Sequence, residues 1–302
     1  LIGAIIVVGQ LTDVPKLNLL IMTLVSVIVV LFYSNNSAIK NDAGWGAMKY
    51  QQLIYGMIAI FIYVGVEVTI DNNFGALLKN PGYITELGLD ESEISKYISL
   101  YWGSLMIGRW TGAVSVFNLK GNMKKLMMIV VPFIAFAVVL GVSKIYGNDV
   151  SDLYGYAIFI AIAIATFFYG QEKPVKTLFA VSIFATAAML VGVFTTGITS
   201  VYAFMAGGLA CSVMWPCIFS LGVGGLGKYT SQGSAFLIMM ILGGAIIPPL
   251  QGVLGDNPSV GMHQSYILAA VCFALLALLA LKLKTVLKKQ GLDFDAQVSG
   301  GH

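Results

Sequence analysis

Charge is what this sequence lacks. Of its 302 residues, 17 are Lys or Arg and 14 are Asp or Glu. Charged residues make up 10% of the chain, against about a quarter in an ordinary soluble domain. Apolar residues reach 58% and the mean hydropathy is +0.87. A water-soluble chain of this length could not cover its surface with so few polar groups, so lipid must solvate much of it. Histidine is nearly absent: His263 and His302 are the two. With them go any Ser-His-Asp set and any clustered metal site, and no phosphate-binding loop is present. The expectation is therefore a protein that is not an enzyme and holds no cofactor or metal. An intramembrane enzyme would have only Glu67 and Asp71 to work with. The three cysteines, Cys211, Cys217 and Cys272, fall inside apolar runs without ligand spacing and read as small core hydrophobes. A net charge of +3 is too small to suggest nucleic acid.

What the chain has in quantity is long apolar runs. A hydrocarbon core about 30 Å thick needs roughly 20 apolar residues of helix. By that measure nine spans are predicted, at about 17–34, 51–71, 98–118, 124–143, 153–170, 177–195, 199–224, 232–254 and 265–285. Residues 1–11 read as the end of an earlier span. The chain opens Leu1-Ile2-Gly3 with no charged n-region or cleavage site, so a fragment is expected rather than a signal peptide. Placing the 35–50 loop in the cytoplasm puts twelve lysines on that side: Lys40, Lys49, Lys120, Lys124, Lys125, Lys173, Lys176, Lys228, Lys282, Lys284, Lys288 and Lys289. Only Lys16, Lys79, Lys96 and Lys144 fall opposite. By the positive-inside rule this predicts a multi-pass protein with a cytoplasmic C-terminus. Glu86, Asp90, Glu91, Glu93, Asp149, Asp152 and Asp256 lie on the far side, in agreement. The polar tail, 286–302, is expected to be cytoplasmic.

Three charges sit inside spans: Glu67, Asp71 and Arg109. An ionisable group there costs at least about 2.5 kcal/mol, so it faces a polar cavity or a partner. Tyr63, Glu67 and Asp71 recur at spacing four and share one helix face. Glu67 suits either a site or a packing pair with a neighbouring helix. Asp71, followed by Asn72 and Asn73, suits either a site or a polar helix end. Arg109, between Gly108 and Trp110, suits a gate or substrate contact, or a structural ion pair. Two spans carry breakers, Trp215-Pro216 in one and Gly243-Gly244 with Pro248-Pro249 in the other. Prolines bend helices and free carbonyls, and broken helices point to binding sites in transporters. Trp215 beside such a kink suits sugar stacking or core packing.

Several of these motifs, taken in order, resemble the major facilitator superfamily, in particular the bacterial fucose and glucose/galactose proton-symporter family. They are Tyr63-Val64-Gly65 followed by Glu67; Leu100-Tyr101-Trp102-Gly103 with Gly108-Arg109; Trp215-Pro216-Cys217-Ile218-Phe219-Ser220-Leu221 running into Gly225-Leu226-Gly227-Lys228; and Gly243-Gly244 through Pro248-Pro249-Leu250-Gln251-Gly252. The resemblance implies an all-α transmembrane bundle. Residues 1–50 would hold the end of the fifth helix, the sixth helix and a central cytoplasmic loop. Residues 51–285 would be the C-terminal bundle, helices seven to twelve, with an extra transmembrane hairpin within 124–195. It implies uptake of a hexose or deoxyhexose such as glucose, galactose or fucose by alternating access, with symport of a proton or sodium, in the bacterial inner membrane. The partners implied are the sugar, the coupling cation, the lipid bilayer and a missing N-terminal half of the same transporter. Glu67, Asn72, Asn73, Trp215 and Tyr63 match substrate-facing positions, Arg109 and Asp71 gating or ion-pair positions, and Pro216, Pro248 and Pro249 kinks. The alternatives are a same-fold transporter of a peptide, drug or organic anion, or a membrane sensor that has lost transport.

Overall fold

The computed structural model describes residues 9, 14–41, 43–87, 93–114, 121–170 and 173–294. The expected end of an earlier span at 1–11 lies outside these except for Gly9, as do Asp90, Glu91, Lys120, His302 and the tail beyond 294. Among the described residues the secondary structure is entirely helical. The helices are α1 (Lys16–Lys40), α2 (Gln51–Leu78), α3 (Pro81–Leu87), α4 (Ile94–Ala113), α5 (Asn122–Ile145), α6 (Ala157–Gly170), α7 (Pro174–Phe194), α8 (Gly197–Val223), α9 (Thr230–Met239), α10 (Gly243–Gly255), α11 (Gly261–Ser265) and α12 (Ile267–Lys289).

Among the described residues, eight helical stretches are long and apolar enough to cross a membrane. They match the expected spans except for α4, which has 20 residues but carries Lys96 and Arg109. Two boundaries move in ways that matter. Helix α2 runs on to Leu78, seven residues past Asp71, so Asp71 does not mark a helix end. Asn72 and Asn73 are likewise within the helix, Asn73 being compensated by partners on α10 and Asn72 being exposed. Helix α4 begins at Ile94, bringing Lys96 into its first turn.

The broken-helix expectation resolves into two different outcomes. Helix α8 continues through Pro216 as one element of 27 residues. The 232–254 span is divided: α9 passes through a 3-10 turn at Met240–Leu242 into α10, which holds Pro248 and Pro249. Gly243 explains where α10 can start. A Cβ there would lie 1.8 Å from the Phe61 carbonyl oxygen of α2, so only glycine permits this approach.

Helices α2 and α8 lie at the centre, against one another. Their neighbours follow the same plan: α2 packs on α10 and α12, α8 packs on α4 and α7, and α7 meets α12. Thus α2, α4 and α7 correspond to α8, α10 and α12. Helix α5 lies outside this plan, resting on α4 and α6, and α1 flanks α10 and α2 with only Thr23, Leu31 and Ala38 buried.

Candidate substrate site

The polar face anticipated on α2 is met by α4 and α8. Tyr63 and Glu67 are one helical turn apart, and the Tyr63 hydroxyl lies beside the Glu67 carboxyl group. Across the helix boundary, Arg109 Nη2 of α4 stands 3.8 Å from Glu67 Oε1. The two ends of this pair differ in setting, the Glu67 side chain being 11% exposed and that of Arg109 62%. A nearly buried carboxylate is thus paired with a cation that is itself largely exposed.

One turn further along α2, Asp71 lies beside the Trp102 indole of α4. Trp102 and Arg109 are two turns apart on α4, so they meet Asp71 and Glu67 as two rungs between antiparallel helices. Tyr101 secures the same seam: its hydroxyl donates to the Glu67 carbonyl oxygen at 2.7 Å. On the other flank Trp215 of α8 stands edge-to-face with Tyr63, ring centroids 6.2 Å apart, and stacks on Phe219.

Close helix approach makes these contacts possible. A Cβ on Gly108 would lie 1.8 Å from Ser212 Oγ, and one on Gly208 would lie 2.9 Å from the Tyr101 carbonyl. Small residues therefore bring α4 within reach of α8 on the turn that carries Arg109.

The remaining sequence candidates divide. Asn72 is exposed. Asn73 faces α10, its amide donating to the Pro248 carbonyl at 3.3 Å and to Gln251 Oε1 at 3.1 Å. Gln251 in turn donates to Ser265 Oγ at 3.1 Å. Asn73 and Pro248 thus belong to an α2–α10 contact rather than to the Glu67 cluster, and Pro249 follows in the same helix.

A cavity of about 610 Å³ opens beside the cluster. Arg109, Thr111, Thr177, Trp215, Pro216 and Cys217 contribute to its wall. Glu67 lies behind Arg109 and does not line it. Among the described residues no group of three His, Cys, Asp or Glu side chains is arranged to hold a metal.

Sequence reasoning left three residues without a structural role. Trp102 went unassigned, although its spacing of seven from Arg109 was available as a signal. Lys96 was counted only for topology. It is 3% exposed and meets Asp152 at 3.0 Å and Glu93 at 3.6 Å, which binds α4 to the turn between α5 and α6. His263, placed in a loop, joins α11 to its surroundings through Tyr83 Oη at 2.6 Å and the Val193 carbonyl at 3.0 Å.

No family model matches the chain. Individual proteins do. A glucose/galactose transporter of Brucella abortus is 30% identical over 240 residues, which is 80% of this chain and 44% of that protein. A putative glucose/galactose transporter of Helicobacter pylori is 28% identical over 237 residues, again 44% of its length. The L-fucose-proton symporter of Escherichia coli is 32% identical over 122 residues, 40% of this chain and 28% of that protein. The chain therefore spans under half the length of the curated relatives it matches. Among solved structures, the fucose:proton symporter FucP of E. coli superimposes with a TM-score of 0.53 at 20% identity, covering 78% of this chain and 43% of that one. A second FucP structure, described as a major facilitator superfamily transporter in the outward conformation, gives the same score over 77% of the chain.

Proposed function

We propose a role in sugar uptake for this chain, a multi-pass membrane protein homologous to the bacterial glucose/galactose and fucose transporters and sharing the major facilitator fold. The whole protein takes up a hexose or deoxyhexose by alternating access, coupled to a cation gradient, with the proton the first candidate. The observation that carries this reading is the Glu67–Arg109 pair, buried at one end and open at the other, set between Tyr63 and Trp215 on one flank and Asp71 and Trp102 on the other.

Chemistry supports a sugar as the ligand. A carboxylate bridges adjacent hydroxyls as a double acceptor, and a guanidinium offers a fork of donors to the same pair. The apolar C–H face of a pyranose then meets an aromatic ring. Among the described residues Arg109 is the cation deep within a span, Lys96 being in the first turn of α4 and paired with Asp152, whereas an organic anion would call for more. In this reading Glu67 and Tyr63 bind sugar hydroxyls, Arg109 is the gate that yields to them, and exposed Asn72 adds an amide. Asn73 carries the movement of α2 to α10.

The lysine distribution supports a C-terminus facing the cytoplasm of the bacterial inner membrane. Packing supports α7 as the ninth helix of the family. It lies against α8 and α12 as α12 lies against α2 and α7, and inverted three-helix repeats of this kind are nested in each six-helix half of such transporters. Helices α5 and α6 are then the inserted hairpin.

The test is uptake of labelled glucose, galactose and fucose by the full-length protein in proteoliposomes, with imposed proton and sodium gradients. Accumulation of at least one sugar against its gradient is expected. Correctly folded protein that moves none of them sinks the proposal.

A further inference from the structure

His263 of α11 closes a chain of hydrogen bonds that runs between two backbone carbonyl groups. From one end, Ser200 Oγ donates to the Gly192 carbonyl at 2.8 Å. Tyr83 Oη then lies 2.7 Å from Ser200 Oγ and 2.6 Å from His263 Nδ1. At the other end His263 Nε2 lies 3.0 Å from the Val193 carbonyl. These four contacts link α3, the last turn of α7, α8 and α11.

Counting hydrogens decides the charge of the ring. A carbonyl oxygen only accepts, so the single hydroxyl hydrogen of Ser200 goes to Gly192. The hydrogen between Ser200 and Tyr83 must then come from Tyr83, which has no second one to give. The contact with Tyr83 therefore needs a hydrogen on Nδ1, and the contact with Val193 needs one on Nε2. A neutral imidazole carries one N–H and an imidazolium two. With a neutral ring, three hydrogens serve these four contacts, and at one of them two lone pairs face each other. We infer that His263 is a proton-binding site, and that the bound proton completes a clamp on this end of the bundle.

The surroundings hold the ring in place and leave it within reach of water. Tyr83 stacks on it at 5.8 Å and Phe204 meets it edge-on at 5.7 Å, so the two nitrogens keep separate partners. Tyr83 and Ser200 are buried, whereas His263 is partly exposed. The titratable groups nearby are Tyr83 and Glu86 of α3, Glu86 accepting from Thr196 Oγ1 at 3.0 Å, and Tyr266, which packs on Phe204. Helices α2 and α10, which pack on α11, end at Lys79 and Asp256.

The clamp sits before the start of α12, opposite the end that carries Lys288 and Lys289. In the proposed topology this is the outer face, so the proton comes from outside the cell. Helix α3 lies in the connection from α2, with Glu67, to α4, with Arg109. An acid exterior therefore fastens that connection to α7, α8 and α11, and loss of the proton gives up one of the four contacts. The site is separate from the Glu67–Arg109 pair and stands whether or not the whole protein moves sugar.

Nitrogen-15 NMR of the full-length protein with labelled histidine tests the inference, His263 being identified by the signals lost in His263→Gln. Imidazole changes charge between about pH 5 and 8, and within that range the acid form should carry hydrogen on both ring nitrogens. Ser200→Ala is the decisive variant. It frees the Tyr83 hydrogen for Nδ1, so a neutral ring satisfies every contact that remains. At a fixed pH the ratio of doubly to singly protonated His263 should fall about tenfold, the scale of about one hydrogen bond. Tyr83→Phe should act in the same direction, since the ring then needs only its Nε2 hydrogen, and it carries the test if Ser200→Ala fails to assemble. Thermal unfolding in detergent gives a second readout. A proton held by the folded network is stability present at low pH and lost as pH rises, so the parent should lose more between about pH 6 and 8 than either variant. A ring singly protonated throughout about pH 5 to 8 overturns the proton site, as does an unchanged ratio in Ser200→Ala. Thermal stability with the same pH dependence in parent and variants overturns the clamp.

Discussion

Lys96 and Asp152 meet at 3.0 Å, the lysine side chain 3% exposed and the aspartate 31%. The pair joins the first turn of α4 to the turn entering α6. Lys96 also donates to the Asp149 carbonyl at 3.2 Å, and the Tyr97 hydroxyl donates to the Asp152 carboxylate. Replacing Asp152 by alanine leaves the buried ammonium with the longer Glu93 contact and the Asp149 carbonyl alone. Breaking a buried pair costs about 3–5 kcal/mol, and the partial exposure of Asp152 reduces this to roughly 2–3 kcal/mol. Thermal unfolding in detergent should show the loss. The double variant Lys96→Met with Asp152→Leu should recover most of it, because no unpaired charge remains.

Asp149, next to this pair, sets a pH dependence. Its carboxyl is held below the ordinary value by the backbone N–H of Ser151, then by the Ser151 hydroxyl, with a smaller effect from Lys96. A depressed native pKa means stability that is present above the unfolded value, about 3.9, and lost as pH falls through the native one. The protein should therefore lose thermal stability below about pH 4. Asp149→Asn should shallow that slope and change little at pH 7 relative to its own acid limb. An unchanged slope would show that other carboxylates control the acid response.

Glu67→Gln separates the roles of charge and shape. The amide keeps the size and shape of the carboxyl group, so the fold should survive. The attraction to Arg109 is lost, and so is the double acceptor for sugar hydroxyls. Sugar KM should rise about tenfold, equivalent to about 1.4 kcal/mol. If sugar affinity and the pH profile of uptake both match the parent, Glu67 is a packing residue.

Gly108 and Ser212 should behave as a pair. Gly108→Ala places a methyl 1.8 Å from Ser212 Oγ and 2.4 Å from its Cβ. Such overpacking costs about 1–3 kcal/mol and should push Arg109 away from Glu67. Ser212→Gly clears both atoms, so the double variant should regain stability and transport lost by the single one. Failure of the second change to rescue the first would place the strain elsewhere.

These residues also mark how far the sequence could be read. Apolar run length located the spans, since bilayer thickness acts on each helix separately. Spacing four placed Tyr63 and Glu67 on one face because both lie on one rigid element. It could not say which helix faces them. For Arg109 the sequence offered a gate and an ion pair alike and named no partner; Glu67 at 3.8 Å is that partner. Asp71 shows the same limit. A polar cluster of Asp71, Asn72 and Asn73 suits a helix end as well as an interior. The choice depends on Trp102 and Gln251, which come from α4 and α10. Asn73 turns to α10 while Asp71, two residues earlier, turns to α4, as 100° per residue requires. Relative shift between helices follows from glycine contacts such as Gly108 with Ser212, and these are pairwise facts with no local signature.

The cavity beside Arg109 and Trp215 has one further property. Of the chain's three cysteines, Cys211 and Cys272 are buried, while Cys217 is partly exposed and lines that wall. The molecule thus carries its own chemical reporter. A membrane-permeant maleimide should modify Cys217 ahead of the other two thiols, at a rate set by how open the cavity is. Labelling followed by mass spectrometry would then record how open that cavity is without an engineered residue. Transport substrates could be screened by whether they slow that single reaction.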